Sequence, residues 1–266
     1  MQKLSINSWK SIIIICLSMV VYNVTWGKAQ ITYIGSSTVG KFMHDAVKIY
    51  DKVSFKIDTN PESGGGETAT AFGKCDLGGV ARDVKPKILN KGVKKFLIGR
   101  DAIGVWVNKS NPVSELSMEQ LRKIFSGLIT NWAEVGGNNQ KITVYIVNPQ
   151  SATRKVFSKA IMGKGNYAGN IQTTSPDPKV IDRVAANSAG IGQLSFALGN
   201  SHPQASSVKK INIDGKLASV NNPEYQITRP LYLITKGAPQ GKVKAFIDWS
   251  ISEAGQKIVK KNFVGR

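Results

Sequence analysis

The chain has 266 residues, 41% of them hydrophobic and 20% charged, and its 36 Lys and Arg against 17 Asp and Glu give a formal charge of +19. That length can bury one large core or two lobes of about 100 residues each, and the balance excludes disordered and disulfide-stapled classes. The two histidines, His44 and His202, stand in no metal-ligand or triad spacing, and no Gly-x-Ser-x-Gly, phosphate-loop or dinucleotide fingerprint occurs, so neither an enzyme nor a metal or cofactor is expected.

The chain opens with Lys3 and Lys10, an apolar run over 12–21, and small residues at Gly27 and Ala29. Basic, then apolar, then small is the order of a secretory signal. The run of about ten residues falls short of the ~20 that a membrane-spanning helix needs. Residues 1–29 are therefore expected to be a cleaved signal peptide, and the mature protein to be periplasmic or secreted. Cys16 is not read as a lipoprotein site, because Ile15 before it is too bulky. Loss of Cys16 leaves Cys75 without a partner, and it reads as a small buried hydrophobe. The positive excess attracts anions. No aromatics interleave with the basic residues, so no nucleic-acid track is expected.

Further on, 31–34 reads as a strand, 39–50 as a helix and 53–57 as a strand with period-two alternation. A short helix over 68–73 and a buried strand over 76–80 follow, then an apolar strand over 102–107. The polar segment 108–112 interrupts the pattern. Ser117, with Gln120 three residues on, caps a helix whose apolar face is Leu121, Ile124 and Phe125, and Gly127 stops it. A turn at 136–139 leads into a strand over 142–147. Ser151 or Thr153 opens a helix running to Met162; 178–186 is helical and 191–198 a strand. Residues 211–213 run into a turn at Asp214-Gly215, 230–234 is a strand, and the last helix spans 242–260. Strands alternating with helices imply α/β layers.

Three segments share one layout, small residues with hydroxyls at a helix start: Gly35-Ser36-Ser37-Thr38, Ser63-Gly64-Gly65-Gly66-Glu67-Thr68 and Ser151-Ala152-Thr153-Arg154. Each presents free backbone amides, hydroxyl donors and the positive end of a helix dipole, which together suit an anion. Singly, such residues serve as ordinary caps; three in one basic α/β chain point further. One helix dipole supplies only about 0.3–1 kcal/mol, whereas micromolar binding needs about 8 kcal/mol, so convergent hydrogen bonds must supply most of it.

From about Ile31 onward the chain resembles the substrate-binding protein of the phosphate ABC transporter, the Pst type. The resemblance is carried by the opening Gly35-Ser36-Ser37-Thr38, by Ser63-Gly64-Gly65-Gly66 and by Gly79-Val80-Ala81-Arg82-Asp83. Further along it is carried by Asp101-Ala102-Ile103, Ile124-Phe125-Ser126-Gly127, Ile129-Thr130-Asn131-Trp132, Val135-Gly136-Gly137, Ala189-Gly190-Ile191-Gly192 and Arg229-Pro230-Leu231-Tyr232. It implies a two-lobed α/β periplasmic-binding-protein fold with the ligand cleft between lobes. The expected division is a signal peptide over 1–29, lobe one over 30–107, lobe two over 108–197 and a return to lobe one over 198–266. The chain should cross over at 106–108 and return at 194–198.

The implied function is capture of phosphate, or a similar tetrahedral oxyanion, for an ABC transporter permease, by a monomer that does not bind nucleic acid. The implied ligand residues are Ser37, Thr38, Ser63, Gly64, Arg82, Ser151, Ala152 and Thr153. The family carries Arg-x-x-x-Ser-Gly-Thr before its third helix; here Val147 holds the Arg position, Ala152 the Gly position, and Ala81 stands where many members have Ser. Arg82, with Arg154 second, is expected to supply the missing charge. Asp83 or Asp101, with Glu67 behind them, is expected to accept the proton of the ligand, an arrangement that rejects unprotonated sulfate. The departures at Val147 and Ala81 also keep open a secreted sensor or surface-interaction protein with altered or lost anion binding.

Overall fold

A computed structural model of the protein describes residues 28–266, so nearly all of the expected signal peptide lies outside the described residues. The first half runs β1 (Gln30–Gly35), α1 (Ser37–Ala46), β2 (Ser54–Asp58), α2 (Glu62–Ala71), β3 (Leu77–Val80), α3 (Pro86–Leu89), β4 (Val93–Asn108), β5 (Glu115–Leu116) and α4 (Met118–Ser126). It continues through β6 (Thr143–Val147), α5 (Ala152–Phe157), β7 (Gln172–Thr174), α6 (Lys179–Ala185), β8 (Gly190–Ser195), α7 (Phe196–Asn200), β9 (Val208–Lys210) and β10 (Asn212–Ile213). It closes with β11 (Thr228–Lys236), α8 (Gly241–Ile251), α9 (Glu253–Val259) and β12 (Val264–Gly265).

The long strand β4 organises the molecule. Its first part pairs antiparallel with β11, and β11 in turn with β3, while β1 runs parallel between β2 and β3. Its last part pairs antiparallel with β8 and β9, and β6 runs parallel between β8 and β7. Two lobes result, each burying its own core. Ile31, Tyr33, Phe42, Leu77, Ile98, Leu231, Leu233 and Phe246 fill the first. Val105, Trp106, Phe125, Trp132, Ile146, Phe157, Ile191 and Leu194 fill the second.

The lobe boundaries differ from those expected. Val208, Ile211, Ile213, Tyr225 and Ile227 pack into the second core, and the Tyr225 hydroxyl donates to the Ile103 carbonyl at 2.8 Å. The return therefore falls at 227–228 rather than at 194–198. The outward crossing falls at 102–103 rather than 106–108, because β4 is apolar and continuous enough to serve both sheets. The Ile103 amide donates to the Ile227 carbonyl at 2.9 Å, which ties the two crossings together.

Local differences have plain causes. The helix expected over 68–73 begins at Glu62, which places the glycines in its first turns. There a Cβ on Gly66 would lie 2.7 Å from Gly35 Cα, so the helix rests directly on β1. The last helix breaks at Ser252, whose ψ of 168° is extended, and α9 folds back against α8.

Candidate functional site

The three hydroxyl-bearing helix starts meet where the lobes face each other. At α1, Ser36 is the cap, accepting from the Thr38 and Val39 amides. That leaves Ser37 and Thr38 in the first turn to face the cleft. The Ser37 amide donates to Glu62 Oε2 at 3.1 Å, and the Thr38 hydroxyl accepts from Arg229 Nη2 at 2.8 Å. At α5, on the other lobe, Ser151 is the cap, accepting from the Thr153 amide and donating its own proton to Asp177. The Thr153 hydroxyl accepts from Arg229 Nη1 at 3.0 Å. Gly64 of α2 brings the lobes into contact: its amide donates to the Gln150 carbonyl, and a Cβ on it would lie 2.5 Å from Gln150 Oε1.

Arg229 is the hub. It is 1% exposed and donates through Nε and Nη2 to Asp101 Oδ2, at 3.0 and 2.9 Å. Its other donors reach a first-lobe hydroxyl and a second-lobe hydroxyl. A buried guanidinium needs such a counter-charge and full hydrogen bonding. Two more carboxyls are buried beside it, Glu62 and Asp177. Burial pushes Glu62 up to about 8, the charge of Asp177 adds to that, and the Ser37 amide and the Arg229 charge pull the other way. Burial pushes Asp177 up to about 6 against the pull of Ser151, Arg229 and Thr153. Burial also raises Asp101, with Arg229 opposing it. Ser37 Oγ, Glu62 Oε1, Asp101 Oδ1 and Asp177 Oδ1 are buried without a hydrogen-bond partner among the described residues. Buried polar atoms are normally paired. Four unpaired in one region mark a polar binding site with both donors and acceptors to offer.

Of the residues read from sequence, Ser37, Thr38, Ser151 and Thr153 come together around this cluster, and Ala152 packs against the first-lobe core. Ser63 is fully buried, and its hydroxyl accepts from the Ala81 amide. Arg82 donates through Nη1 and Nη2 to Glu67 at 2.6 and 2.8 Å, and through Nη1 also to the Asp83 carbonyl. The pair lies within one lobe, so that charge is neutralised there. Arg82 does line, with Lys155, Lys159 and Arg229, a neighbouring cavity of about 270 Å³. Asp83 is exposed and lines the same cavity. Asp101 reaches the cluster as the counter-charge of Arg229 through Oδ2. Arg154 donates to the Val147 carbonyl and covers the Tyr167 ring, away from the cluster. Val147 is fully buried in the second core.

Three residues of the cluster escaped the sequence reading. Arg229 had a signal: it alternates with Leu231 and Leu233 in β11, so the pleat turns it inward. Asp177 sits between two prolines, and Glu62 follows Pro61; neither context distinguishes a buried carboxyl from a turn residue. Among the described residues, no helix is long and apolar enough to cross a membrane, and no group of three or more His, Cys, Asp or Glu could hold a metal ion.

Residues 23–254 match the family model described as a PBP superfamily domain. The chain is 29% identical over 239 residues to the phosphate-binding protein PstS of Bacillus subtilis, covering 86% of this chain and 78% of that one. It is 26% identical over 261 residues to protein SphX of Synechococcus elongatus, covering 89% and 77%. Among solved structures it is similar to a candidate phosphate ABC transporter substrate-binding protein from Clostridium perfringens with bound phosphate. The TM-score is 0.81 at 28% identity, with 89% of this chain and 99% of that one covered. An ABC-type phosphate transport receptor from Vibrio cholerae gives a TM-score of 0.69 at 25% identity, with 90% and 100% covered.

Proposed function

The chain belongs to the PBP superfamily, and on that premise we propose that it captures inorganic phosphate between its lobes outside the cytoplasm and delivers it, as a monomer, to an ABC transporter permease. The observation that carries this reading is Arg229, whose guanidinium reaches Thr38 in the first lobe and Thr153 in the second. A tetrahedral oxyanion placed among these groups meets the guanidinium and the hydroxyls of Ser37, Thr38 and Thr153, while the opening amides of α1 and α5 are taken by Glu62, Ser36 and Ser151. Charge-assisted hydrogen bonds contribute about 1.5–3 kcal/mol each, so four or five of them account for the roughly 8 kcal/mol of micromolar binding. Relatives named for phosphate binding support the choice of ligand.

Arg229 takes the part that Arg82 was expected to take. The proton of the ligand meets Asp177, whose Oδ1 is free while Oδ2 is held by Ser151. An unprotonated sulfate would leave that carboxylate facing bare oxygen and is disfavoured. Because donors come from both lobes, the ligand favours the closed form. The lobes open by hinge bending at 102–103 and 227–228.

Calorimetric titration with phosphate, arsenate and sulfate tests the reading. Phosphate and arsenate are expected to bind at micromolar concentration or below, and sulfate at least about a hundredfold more weakly. Absence of binding by any oxyanion refutes it in favour of a sensor or surface-interaction role.

A further inference from the structure

Glu62 is unusual in three respects. It is 2% exposed, its Oε1 has no partner among the described residues, and its φ of 52° is one that side-chain-bearing residues rarely adopt. Strained backbone of this kind persists where the surroundings over-determine it, and it gathers at functional sites. The groups that face Glu62 are the Ser37 amide on α1, Tyr33 on β1 and Arg229 on β11, with Asp101 on β4 behind it. Asp177, ahead of α6, faces it from the other lobe. Arg229, the cation of the cluster, is already paired with Asp101. An oxyanion entering beside two further ionised carboxylates would meet uncompensated repulsion in a buried place.

We propose that Glu62 works as a neutral carboxylic acid whose Oε1–H donates to the bound oxyanion, opposite an ionised Asp177 that accepts the proton of the ligand. This rests on the phosphate reading and adds a specificity-determining residue to it. The geometry assigns the atoms: Oε2 accepts from the Ser37 amide, so the proton resides on the otherwise unpartnered Oε1. Asp177 is held on Oδ2 by the Ser151 hydroxyl, and its Oδ1 is the acceptor. The raised values agree, with Glu62 up at about 8 and Asp177 at about 6, so near neutrality the first holds its proton and the second does not. The pair then reads a ligand with both bare and protonated oxygens. Above pH 8 the Glu62 donor becomes a repelling charge and capture weakens. Gln at this position keeps an N–H donor at every pH.

The test is calorimetric titration of the protein with phosphate at pH 7.5 and pH 9, in wild type, Glu62→Gln and Glu62→Ala. Relative to Glu62→Gln, wild-type affinity is expected to fall about tenfold over that interval, the cost of a required proton. The ratio of the two proteins cancels the titration of phosphate itself. At pH 7.5 Glu62→Gln should stay within about threefold of wild type and Glu62→Ala should lose at least about tenfold. Parallel loss by wild type and Glu62→Gln, or a Glu62→Gln protein tenfold weaker at pH 7.5, overturns the proposal while leaving the phosphate reading intact. A wild type that binds no phosphate at either pH overturns both. A second readout needs no variant: the wild-type phosphate complex at pH 7.5 should show the infrared carbonyl band of a buried protonated carboxyl, and its absence overturns the proposal.

Discussion

Among the described residues two buried arginines meet carboxylates, Arg229 with Asp101 and Arg82 with Glu67, at 1% and 7% exposure. Arg82 sends its terminal nitrogens to Glu67 and to its neighbour's carbonyl, all within the first lobe. Arg229 gives Asp101 one edge and extends the rest of its fork to hydroxyls on opposite lobes. The ion pairs are alike in chemistry and differ in span. A charge satisfied within one lobe holds that lobe together. A charge whose partners lie on two lobes registers closure, and it can exchange a hydroxyl for a ligand oxygen without becoming unpaired.

The largest effect should follow Arg229→Ala. It strands Asp101 as a buried charge, a change that typically costs about 3–5 kcal/mol, and it removes the cation from the cleft. Phosphate affinity is expected to drop more than about a hundredfold in calorimetry, with a lower melting temperature. Thr38→Val and Thr153→Val come next: each deletes one hydroxyl at the hub and should weaken phosphate binding by about tenfold. Because both hydroxyls sit on one guanidinium, the double variant should lose less than the product of the two single losses. Additive losses would separate the two lobes energetically and break the comparison.

Arg82→Ala should leave phosphate affinity within about threefold of wild type while lowering the melting temperature, since breaking a buried pair destabilises the lobe that holds it. The smallest effect is on stability alone. Glu62 has a folded value raised to about 8 from 4.5, so its contribution is intact in acid and is lost as pH rises through 8. Glu62→Gln should therefore melt a few degrees above wild type at pH 9 without ligand and nearly level with it at pH 5.

Strand and helix periodicity made the α/β alternation and the three hydroxyl-rich helix starts legible, because burial of alternating faces is a local property of sequence. The point of return to the first lobe was not legible. Residues 198–227 carry short apolar runs that would suit either core, and only the Tyr225 bond to Ile103 and the β9 pairing with β4 decide it. At the candidate site, the segments that hold Ser37, Thr38, Ser151 and Thr153 were legible because the caps that open them, Ser36 and Ser151, have a signature. The charges could not be assigned in the same way. Arg82 follows a buried strand and lies beside the candidate Asp83, yet its partner Glu67, directly after the glycines of α2, is 15 residues upstream, a pairing that sequence distance conceals. Arg229 differs only in facing inward beside Leu231, a matter of strand register.

The most direct measurement is a calorimetric titration of phosphate into Arg229→Lys and Arg82→Lys, side by side with wild type. Lysine preserves each charge but cannot reproduce the fork that reaches two hydroxyls and a carboxylate at once. Binding centred on Arg229 predicts at least about a tenfold loss for Arg229→Lys and less than about threefold for Arg82→Lys. The reverse pattern, with Arg82→Lys impaired and Arg229→Lys at wild-type affinity, would contradict it.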